Sequence, residues 1–235
     1  MIDPECRDFL RGVAHDLRGP LNQLRTFSTL LCKQHQSSLA EDGQTLCTYI
    51  DQAAKRAAVV ADAIDTFGRF MRTPEFEQTD LNSAMDTALS EIGLDPADSI
   101  SRTDLGHVEG DRSMLTRLFR DLLTNCLKFR GNEPLKISVS AELHDNEKSI
   151  AVSDNGIGIP AGHADTVFQP LKRLNGFRYE GAGIGLTLCR SIVHKHGGRI
   201  WIEPAQTGTT VRFTLLRVHE REAAAPTDQN APGCP

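Results

Sequence analysis

The sequence predicts an α+β protein in which an N-terminal antiparallel helical hairpin is followed by an α/β-sandwich domain. Two patterns carry this prediction. Between residues 10 and 71, apolar side chains recur every three or four positions, as on one face of an amphipathic helix. Beyond Pro74, segments with strand-like patterns mix with helical segments, which favours helices layered on one face of a sheet.

Two helices are predicted in the N-terminal part. The first has an apolar stripe of Leu10, Val13, Leu17, Leu21, Leu24 and Leu31. The polar stretch HQSSLAEDG separates it from a second helix over residues 43–71, whose stripe has a heptad-like period: Leu46, Ile50, Ala53, Ala57, Val60, Ile64, Phe67 and Met71. One hairpin cannot bury both stripes, whereas two hairpins paired as a four-helix bundle can, so we expect a homodimer.

Each element of the α/β part has a local signal. The predicted helices cover residues 81–92, 111–129 with Asp111 as N-cap, and 184–196, and the predicted strands cover residues 107–109, 135–143, 148–154, 199–203 and 209–216. Gly197 and Gly198 end the last helix. We therefore expect a hairpin domain over residues 1–73, an α/β domain over residues 74–217 and a disordered tail over residues 218–235, where no periodicity remains.

The composition argues against several classes of protein. The net charge is -5 and no stripe of Lys and Arg is interleaved with aromatic residues, so no nucleic-acid partner is expected. No apolar run approaches the roughly 20 residues of a membrane span, and the N-terminus lacks signal-peptide regions. We therefore expect a cytoplasmic protein without direct membrane insertion. The six cysteines form no C-x-x-C pair, which argues against a zinc site or a disulfide-stapled fold.

Two glycine-rich segments have the residues that a nucleotide site needs. In DNGIGIP, Asp154 offers a fixed acceptor beside Gly156 and Gly158, where backbone can approach a ligand closely. In EGAGIGL, three glycines directly precede a helix, whose N-terminal amides can hold phosphate oxygens. Each segment alone would also fit an ordinary glycine-rich turn.

The helical stretch DLLTNCLKFR adds a polar face. Asp121, Asn125 and Lys128 follow at spacings that place them on one side of the helix. The amide oxygen of Asn125 could bind Mg²⁺ and Lys128 could meet a phosphate, although a solvated polar face would look the same.

The stretch GVAHDLRGPLNQL combines a histidine, an acid and a proline within the first helix. At about 100° per residue, His15 lies about 160° from Leu17 and so faces away from the apolar stripe. Asp16 can orient the imidazole or accept its proton, and Pro20 should bend or loosen the helix beside it. Taken alone, this histidine could equally be an inert surface residue.

Taken together, five ordered motifs resemble the H, N, G1, F and G2 boxes of two-component sensor histidine kinases: GVAHDLRGPL, DLLTNCLKF, DNGIGIP, VFQPLKRL and GAGIGL. The resemblance covers residues 5 to about 216. The stretch LKRLNGFRYEGAGIGLTLCRSIVHKHGG is most similar to phytochrome-type histidine kinases. The resemblance of the five motifs implies a HisKA-type dimerisation and phosphotransfer hairpin followed by a GHKL (Bergerat-type) domain that binds ATP and Mg²⁺.

The resemblance also implies roles for individual residues. His15 is the phosphoacceptor, Asp16 its acidic neighbour, and Arg173 lies near the γ-phosphate. Asn125 binds Mg²⁺ and Lys128 contacts phosphate. The remaining nucleotide residues are Phe129 near the adenine, Asp154 as acceptor of the adenine amino group, Phe168 as hydrophobic latch of a lid over residues 161–180, and the framing glycines Gly156, Gly158, Gly181, Gly183 and Gly185.

Three residues depart from the family pattern. Gly19 stands where many members have Thr, Asn or Gln, a side chain that orients water to dephosphorylate the regulator, so weak phosphatase activity is expected. Asp121 replaces a common asparagine, and an acid at this position activates water in related GHKL ATPases, so some futile ATP hydrolysis is conceivable. Leu171 replaces the second F-box aromatic residue, which should loosen the lid.

The function implied is that of an ATP-dependent protein-histidine kinase, which phosphorylates itself on His15 and passes the phosphoryl group to an aspartate in a response regulator receiver domain. A non-catalytic dimeric adaptor that uses ATP as a conformational ligand is the alternative, and an ATP-hydrolysing GHKL machine is a third possibility. Only 14 residues precede His15, so we expect input from an upstream sensor domain of a longer chain or from a separate sensor protein.

Overall fold

The structure is a computed structural model that describes residues 4–35, 41–70, 72–94, 100–144, 147–172, 174, 179 and 182–216. Some sequence predictions lie outside the described residues: the tail over residues 218–235, Met71 of the second stripe, part of the expected lid over residues 161–180, and the site residues Arg173 and Gly181.

Two long helices form the N-terminal part, α1 (Pro4–His35) and α2 (Glu41–Phe70). Both begin earlier than the sequence predicts, and α1 also ends later. Helix α1 passes through Pro20 as one helix, so the expected loosening does not break it. A proline removes one backbone N–H, and the hydrogen bonds of neighbouring turns maintain the helix.

The two helices pack side by side in opposite directions. Ser28 Oγ donates to the carbonyl of Cys47 at 3.0 Å, whereas Arg18, nearer the start of α1, bonds Asp62 and Asp65 near the end of α2. The seam between them is made of small buried residues, which are Ala14, Ser28, Cys47, Ala54 and Ala61. None of the large residues of the predicted stripes that the structure describes is fully buried: half are only partly buried, and the exposed half consists of Leu17, Leu24, Leu31, Leu46 and Ile50. One chain therefore does not bury its predicted stripes.

The α/β part contains every helix and strand that the sequence predicts, together with two short strands and two short 3₁₀ helices, Ala161–His163 and Thr166–Phe168, that it does not. In chain order the elements are β1 (Glu77–Asp80), α3 (Leu81–Ile92), β2 (Ile100–Arg102), β3 (His107–Gly110), α4 (Arg112–Lys128), β4 (Ile137–His144), β5 (Glu147–Asp154), α5 (Gly185–Lys195), β6 (Ile200–Glu203) and β7 (Thr209–Leu216). Strands β1 and β2 are the unpredicted ones. Asp111 caps α4 as expected, because its carboxylate accepts the Met114 N–H at 3.1 Å.

Five strands form a mixed sheet in the order β2-β4-β5-β7-β6, in which only β2 and β4 are parallel, and β1 pairs with β3 separately. The core joins this sheet to the apolar faces of α3, α4 and α5. Phe119 of α4 meets Phe213 of β7 edge-on, with ring centroids 6.2 Å apart. Because β5 pairs with β7, Asp154 at the end of β5 lies opposite Thr209.

The segment that follows α2, residues 72–76, packs against the α/β part. The Arg72 guanidinium forms an ion pair with the buried Asp111 carboxylate at 2.7 Å, and the Glu75 N–H bonds the same carboxylate at 2.9 Å. Phe76 lies against the ring of the buried His196, with centroids 5.1 Å apart. In the part of the chain described, no helix is long and apolar enough to cross a membrane.

Candidate functional site

A cavity of about 400 Å³ lies where α4, the end of β5 and the start of α5 meet. Eight residues singled out from the sequence lie on its wall: Asp121, Asn125, Lys128, Phe129, Asp154, Gly158, Gly183 and Gly185. The fold thus brings together three sequence segments that are each weak evidence alone.

Asp154 is held rigidly at one end of the cavity. Its Oδ1 accepts the N–H of Gly156 at 2.7 Å and that of Thr209 at 3.3 Å. Burial raises the pKa of Asp154, although these two N–H groups partly oppose the shift. A Cβ at position 156 would collide with the Phe129 carbonyl, so only glycine permits this close approach. The result is a fixed carboxylate acceptor facing a mainly apolar cavity.

Aromatic rings and a cation lie beside this acceptor. Phe129 and Tyr179 meet edge-on with centroids 5.0 Å apart, and the Lys128 ammonium lies 4.9 Å from the Phe129 centroid. A flat heteroaromatic ring with an amino group matches this combination of apolar walls and acceptor.

The opposite end of the cavity is formed by the N-terminus of α5. Gly183, Ile184 and Gly185 lie on the wall, and Gly183 has a φ of 71°, which favours glycine. The backbone N–H groups at a helix start attract anions because they lack partners within the helix. This end is suited to phosphate groups.

Asp121 lies at this phosphate end, where a Cβ on Gly185 would be 4.0 Å from its own Cβ. Its Oδ1 accepts from Arg117 Nε at 2.8 Å, while its buried Oδ2 has no hydrogen-bond partner within the described residues. Burial raises the pKa of Asp121, and the Arg117 charge opposes this.

One stretch of α2 also reaches the cavity, through Val59, Asp62, Ala63 and Thr66. Asp62 Oδ1 accepts from Arg18 Nε at 2.9 Å, and Arg18 follows His15 by three residues. His15 and Asp16 are exposed on α1, as the helical wheel predicts for His15, and neither is on the cavity wall.

The other predicted site residues are not on the cavity wall, or they lie outside the described residues. Gly156 lies behind the wall, where it bonds Asp154. Phe168 is 3% exposed and packs in the core, and it is not one of the residues on the cavity wall. Leu171, in the expected lid, has a φ of 60° and donates its N–H to the Gly183 carbonyl at 3.0 Å. Arg173 and Gly181 lie outside the described residues.

Several residues on the cavity wall were not predicted from the sequence. Arg117 precedes Asp121 by four positions, a helical ion-pair spacing that could have revealed it. Thr209 is brought to Asp154 by strand pairing, for which the local sequence has no signal. Tyr179 and the four α2 residues reach the cavity through tertiary packing, so sequence spacing does not show them either.

The family comparison agrees with this geometry. Residues 110–219 match the family described as histidine kinase-, DNA gyrase B-, and HSP90-like ATPase. The chain therefore contains a GHKL ATPase domain and is a homologue of sensor histidine kinases, as the five motifs predict.

Two relatives illustrate the similarity. Cyanobacterial phytochrome A of Nostoc sp. is 31% identical over 96% of this chain and 31% of its own length. Sensor protein kinase WalK of Staphylococcus saprophyticus is 26% identical over 91% of this chain and 37% of its own length. The chain spans about a third of the length of these relatives.

Two solved structures are similar in fold. The mycobacterial sensor histidine kinase MprB aligns with a TM-score of 0.53 and 26% identity, over 60% of this chain and 97% of that one. Histidine kinase ThkA, solved in complex with response regulator protein TrrA, aligns with a TM-score of 0.60 and 20% identity, over 90% of this chain and 61% of that one.

Proposed function

We propose that this chain is the catalytic core of a two-component protein-histidine kinase. It would bind ATP with Mg²⁺ in the cavity, transfer the γ-phosphoryl group to His15 and then donate it to an aspartate of a response regulator. The observation that carries this proposal is that one turn of α2 both lines the cavity and pairs, through Asp62, with the turn that carries His15. The complex of ThkA with a response regulator supports a partner of that class.

The cavity has groups for each part of the nucleotide. Asp154 would accept the adenine amino group, with Phe129 beside the ring. The N–H groups at the start of α5 and the Lys128 ammonium would hold the phosphates. The amide oxygen of Asn125 is a hard ligand of the type Mg²⁺ prefers, and the unpartnered Asp121 Oδ2 nearby is a buried acceptor that hydrated Mg²⁺ would satisfy. When bound, Mg²⁺ would neutralise charge on the transferred group.

His15 would act as the nucleophile. Its exposure lets a phosphoryl group approach, and Asp16 next to it would orient the ring or take its proton. Arg173 is proposed to offset charge near the γ-phosphate. A kinase needs all these roles, whereas an adaptor that only senses ATP has no use for an exposed histidine linked to the cavity.

The helix pair is proposed to dimerise as a four-helix bundle, with α1 and α2 as its hairpin. Large apolar residues stay exposed along both helices in one chain, including Leu24, Phe27 and Ile50. A second copy would cover this surface. We further propose domain limits of 1–73 and 74–217, a cytoplasmic location, and input from an upstream sensor domain or a separate sensor.

The test is incubation with γ-labelled ATP and Mg²⁺. The wild-type chain should acquire acid-labile label, and both His15→Ala and Asn125→Ala should lose it. His15→Ala should still bind ATP, because its side chain is not on the cavity wall. ATP binding without any label would support the adaptor instead, and release of phosphate that survives His15→Ala would support a hydrolase.

A further inference from the structure

We propose that Arg117 is a positioning residue that links the end of α2 to Asp121 at the phosphate end of the cavity. The proposal rests on the proposed function, because it takes ATP to be the ligand of the cavity. It concerns a residue that the sequence motifs do not include.

The first step is the contact between Arg117 and Asp121. The Arg117 Nε to Asp121 Oδ1 distance is 2.8 Å, and both side chains are mostly buried. The bond uses one carboxylate oxygen only. Oδ2 is left buried and unpartnered in the part of the chain that is described, on a residue of the cavity wall. Arg117 therefore fixes which way the carboxylate faces.

The second step concerns charge. Asp121 lies next to Gly185, where the start of α5 would hold the phosphates. An ionised carboxylate there repels a triphosphate, and the repulsion is strong because the site is shielded from water. The Arg117 cation offsets it and leaves Oδ2 available to a hydrated cation. Without Arg117, Asp121 would oppose the phosphates but have little effect on the adenosine part.

The third step connects this pair to α2. Phe70 is the last residue of α2, and its ring centroid lies 5.3 Å from Arg117 Cζ, within range of a cation–π contact. Phe70 also packs against the α/β core. Just beyond it, Arg72 is paired with Asp111, which fixes the chain that leaves α2. A shift at the end of α2 would thus move the surface on which Arg117 lies.

The test measures the affinity of the non-hydrolysable analogue AMPPNP with Mg²⁺, and of adenosine. Arg117→Gln should weaken AMPPNP binding about tenfold and leave adenosine binding within about twofold. Arg117→Lys should restore most of the loss, because the charge returns. The control is Arg120→Gln on the same helix, whose guanidinium pairs with Glu91 at 3.0 Å, and its effect should stay within about threefold.

A second variant shows whether Arg117 acts through Asp121. In an Asp121→Asn background, Arg117→Gln should weaken AMPPNP binding clearly less than the tenfold expected in the wild type, because no carboxylate charge is left to offset and only the direct attraction of Arg117 for the phosphates is lost. Phe70→Leu should weaken AMPPNP binding about threefold, but not further when combined with Arg117→Gln. Phe67→Leu is its control, since Phe67 packs against the same core.

Three results would overturn the role of Arg117: an equal loss in Arg120→Gln, an equal loss for adenosine, or a full loss that persists with Asn at position 121. Melting curves followed by Trp201 fluorescence identify any variant that is unfolded. Failure of the proposed function looks different, since the wild-type chain would then fail to bind AMPPNP, or would bind it and yet acquire no label on His15 when γ-labelled ATP is supplied.

Discussion

The helix pair and the α/β part are held together by different kinds of packing. The α/β core is built from large, wholly buried side chains such as Phe119, Phe213 and Leu118. The seam between α1 and α2 is built from small ones, and large side chains such as Phe27 face outward. Because buried apolar area is the main source of folding free energy, the α/β part has a core of its own, whereas the helix pair needs a further apolar surface.

This difference matches a division of labour. A nucleotide site needs groups held in fixed positions, and Asp154 is fixed by two backbone N–H groups at the end of the central strand of a packed sheet. In the proposed kinase, the phosphoacceptor would meet first ATP and then the regulator and would therefore need to be accessible, and His15 is exposed on α1. The rigid core would hold ATP, and the helix pair would present the histidine.

The largest expected effect is on the α/β core. Phe119→Ala should lower the free energy of unfolding by about 3–5 kcal/mol, because it removes a buried ring and leaves a cavity against Phe213. Trp201, the one tryptophan in the sequence, lies in β6 and reports urea unfolding of the sheet. The control is Phe27→Ala on α1, whose side chain is 65% exposed. It should change this transition by less than about 0.5 kcal/mol. An equal loss of unfolding free energy in the two variants would contradict the proposed difference between the α/β core and the helix pair.

The next effect concerns the exposed apolar surface of the helix pair. Leu24→Glu should weaken the proposed homodimer about 100-fold, or about 2.7 kcal/mol, because a carboxylate would be buried between copies. Sedimentation velocity over a concentration series measures this. Leu143→Glu is the matched control, because Leu143 in β4 is 53% exposed, close to the 52% of Leu24, and should leave dimerisation unchanged. A wild-type chain that is monomeric at all concentrations would contradict the interpretation of this surface.

A smaller effect is expected at the charged contact within the helix pair. Asp65 is buried, and burial opposes its ionisation, but hydrogen bonds from Arg18 and Arg69 outweigh this and lower its pKa. Asp65→Asn should cost about 1–2 kcal/mol at neutral pH, since both arginines are partly exposed. Hydrogen exchange of α1 peptides measures the opening. Asp51→Asn, which removes an ion pair with Lys55 inside α2, is the control.

The same aspartate predicts a dependence on pH. A carboxylate whose folded pKa is lowered contributes fully above its unfolded pKa of about 4 and loses the contribution as pH falls through the folded value. As pH falls below about 4, exchange of α1 in the wild type should therefore accelerate, and its rate should approach that of the Asp65→Asn variant, which has no charge to lose. Parallel acid profiles for the two proteins would show that Asp65 does not stabilise the helix pair through its charge.

The smallest effect on stability, and a gain of activity, is expected at Gly19. Apart from its chain neighbours and its own helix backbone, nothing lies within 4 Å of a Cβ at this position. The side chain in Gly19→Asn therefore has room, but a Cβ before Pro20 is disfavoured in a helix, which offsets the gain in helix propensity, so stability should change by less than about 0.5 kcal/mol. Its amide could orient water, so dephosphorylation of the phosphorylated regulator should rise severalfold. Gly12→Asn is the control, because position 12 is equally open on the same helix. Equal regulator dephosphorylation by wild type and Gly19→Asn would refute the explanation for weak phosphatase activity.

Local patterns were sufficient to predict most of the fold. The helices and long strands follow from periodicity, and Asp111 was recognisable as a cap because N-cap residues have a short-range signal. Strand β2 was missed because it has three residues and depends on parallel pairing with β4. The packing of the helix pair was also missed, because small residues at heptad spacing, Cys47, Ala54 and Ala61, are less conspicuous than the leucines beside them.

The candidate site was predictable where its residues occur in compact motifs. Asn125, Lys128 and Phe129 share one helix end, Gly156 marks a close approach of the backbone, and Gly183 has a positive φ that favours glycine. Contributions from distant segments could not be predicted. Asp62 meets the cavity only because α2 packs there, and Thr209 reaches Asp154 only through the register of β5 and β7.

The most direct test of the central claim is to locate the phosphoryl group. The chain is incubated with ATP and Mg²⁺, kept at alkaline pH to preserve phosphohistidine, and mapped by tandem mass spectrometry. The account predicts phosphorylation at His15 in the wild-type chain and no phosphorylation there in the Asn125→Ala variant. Phosphorylation confined to another exposed histidine, such as His107, or an unmodified His15 in a chain that binds ATP, would contradict it.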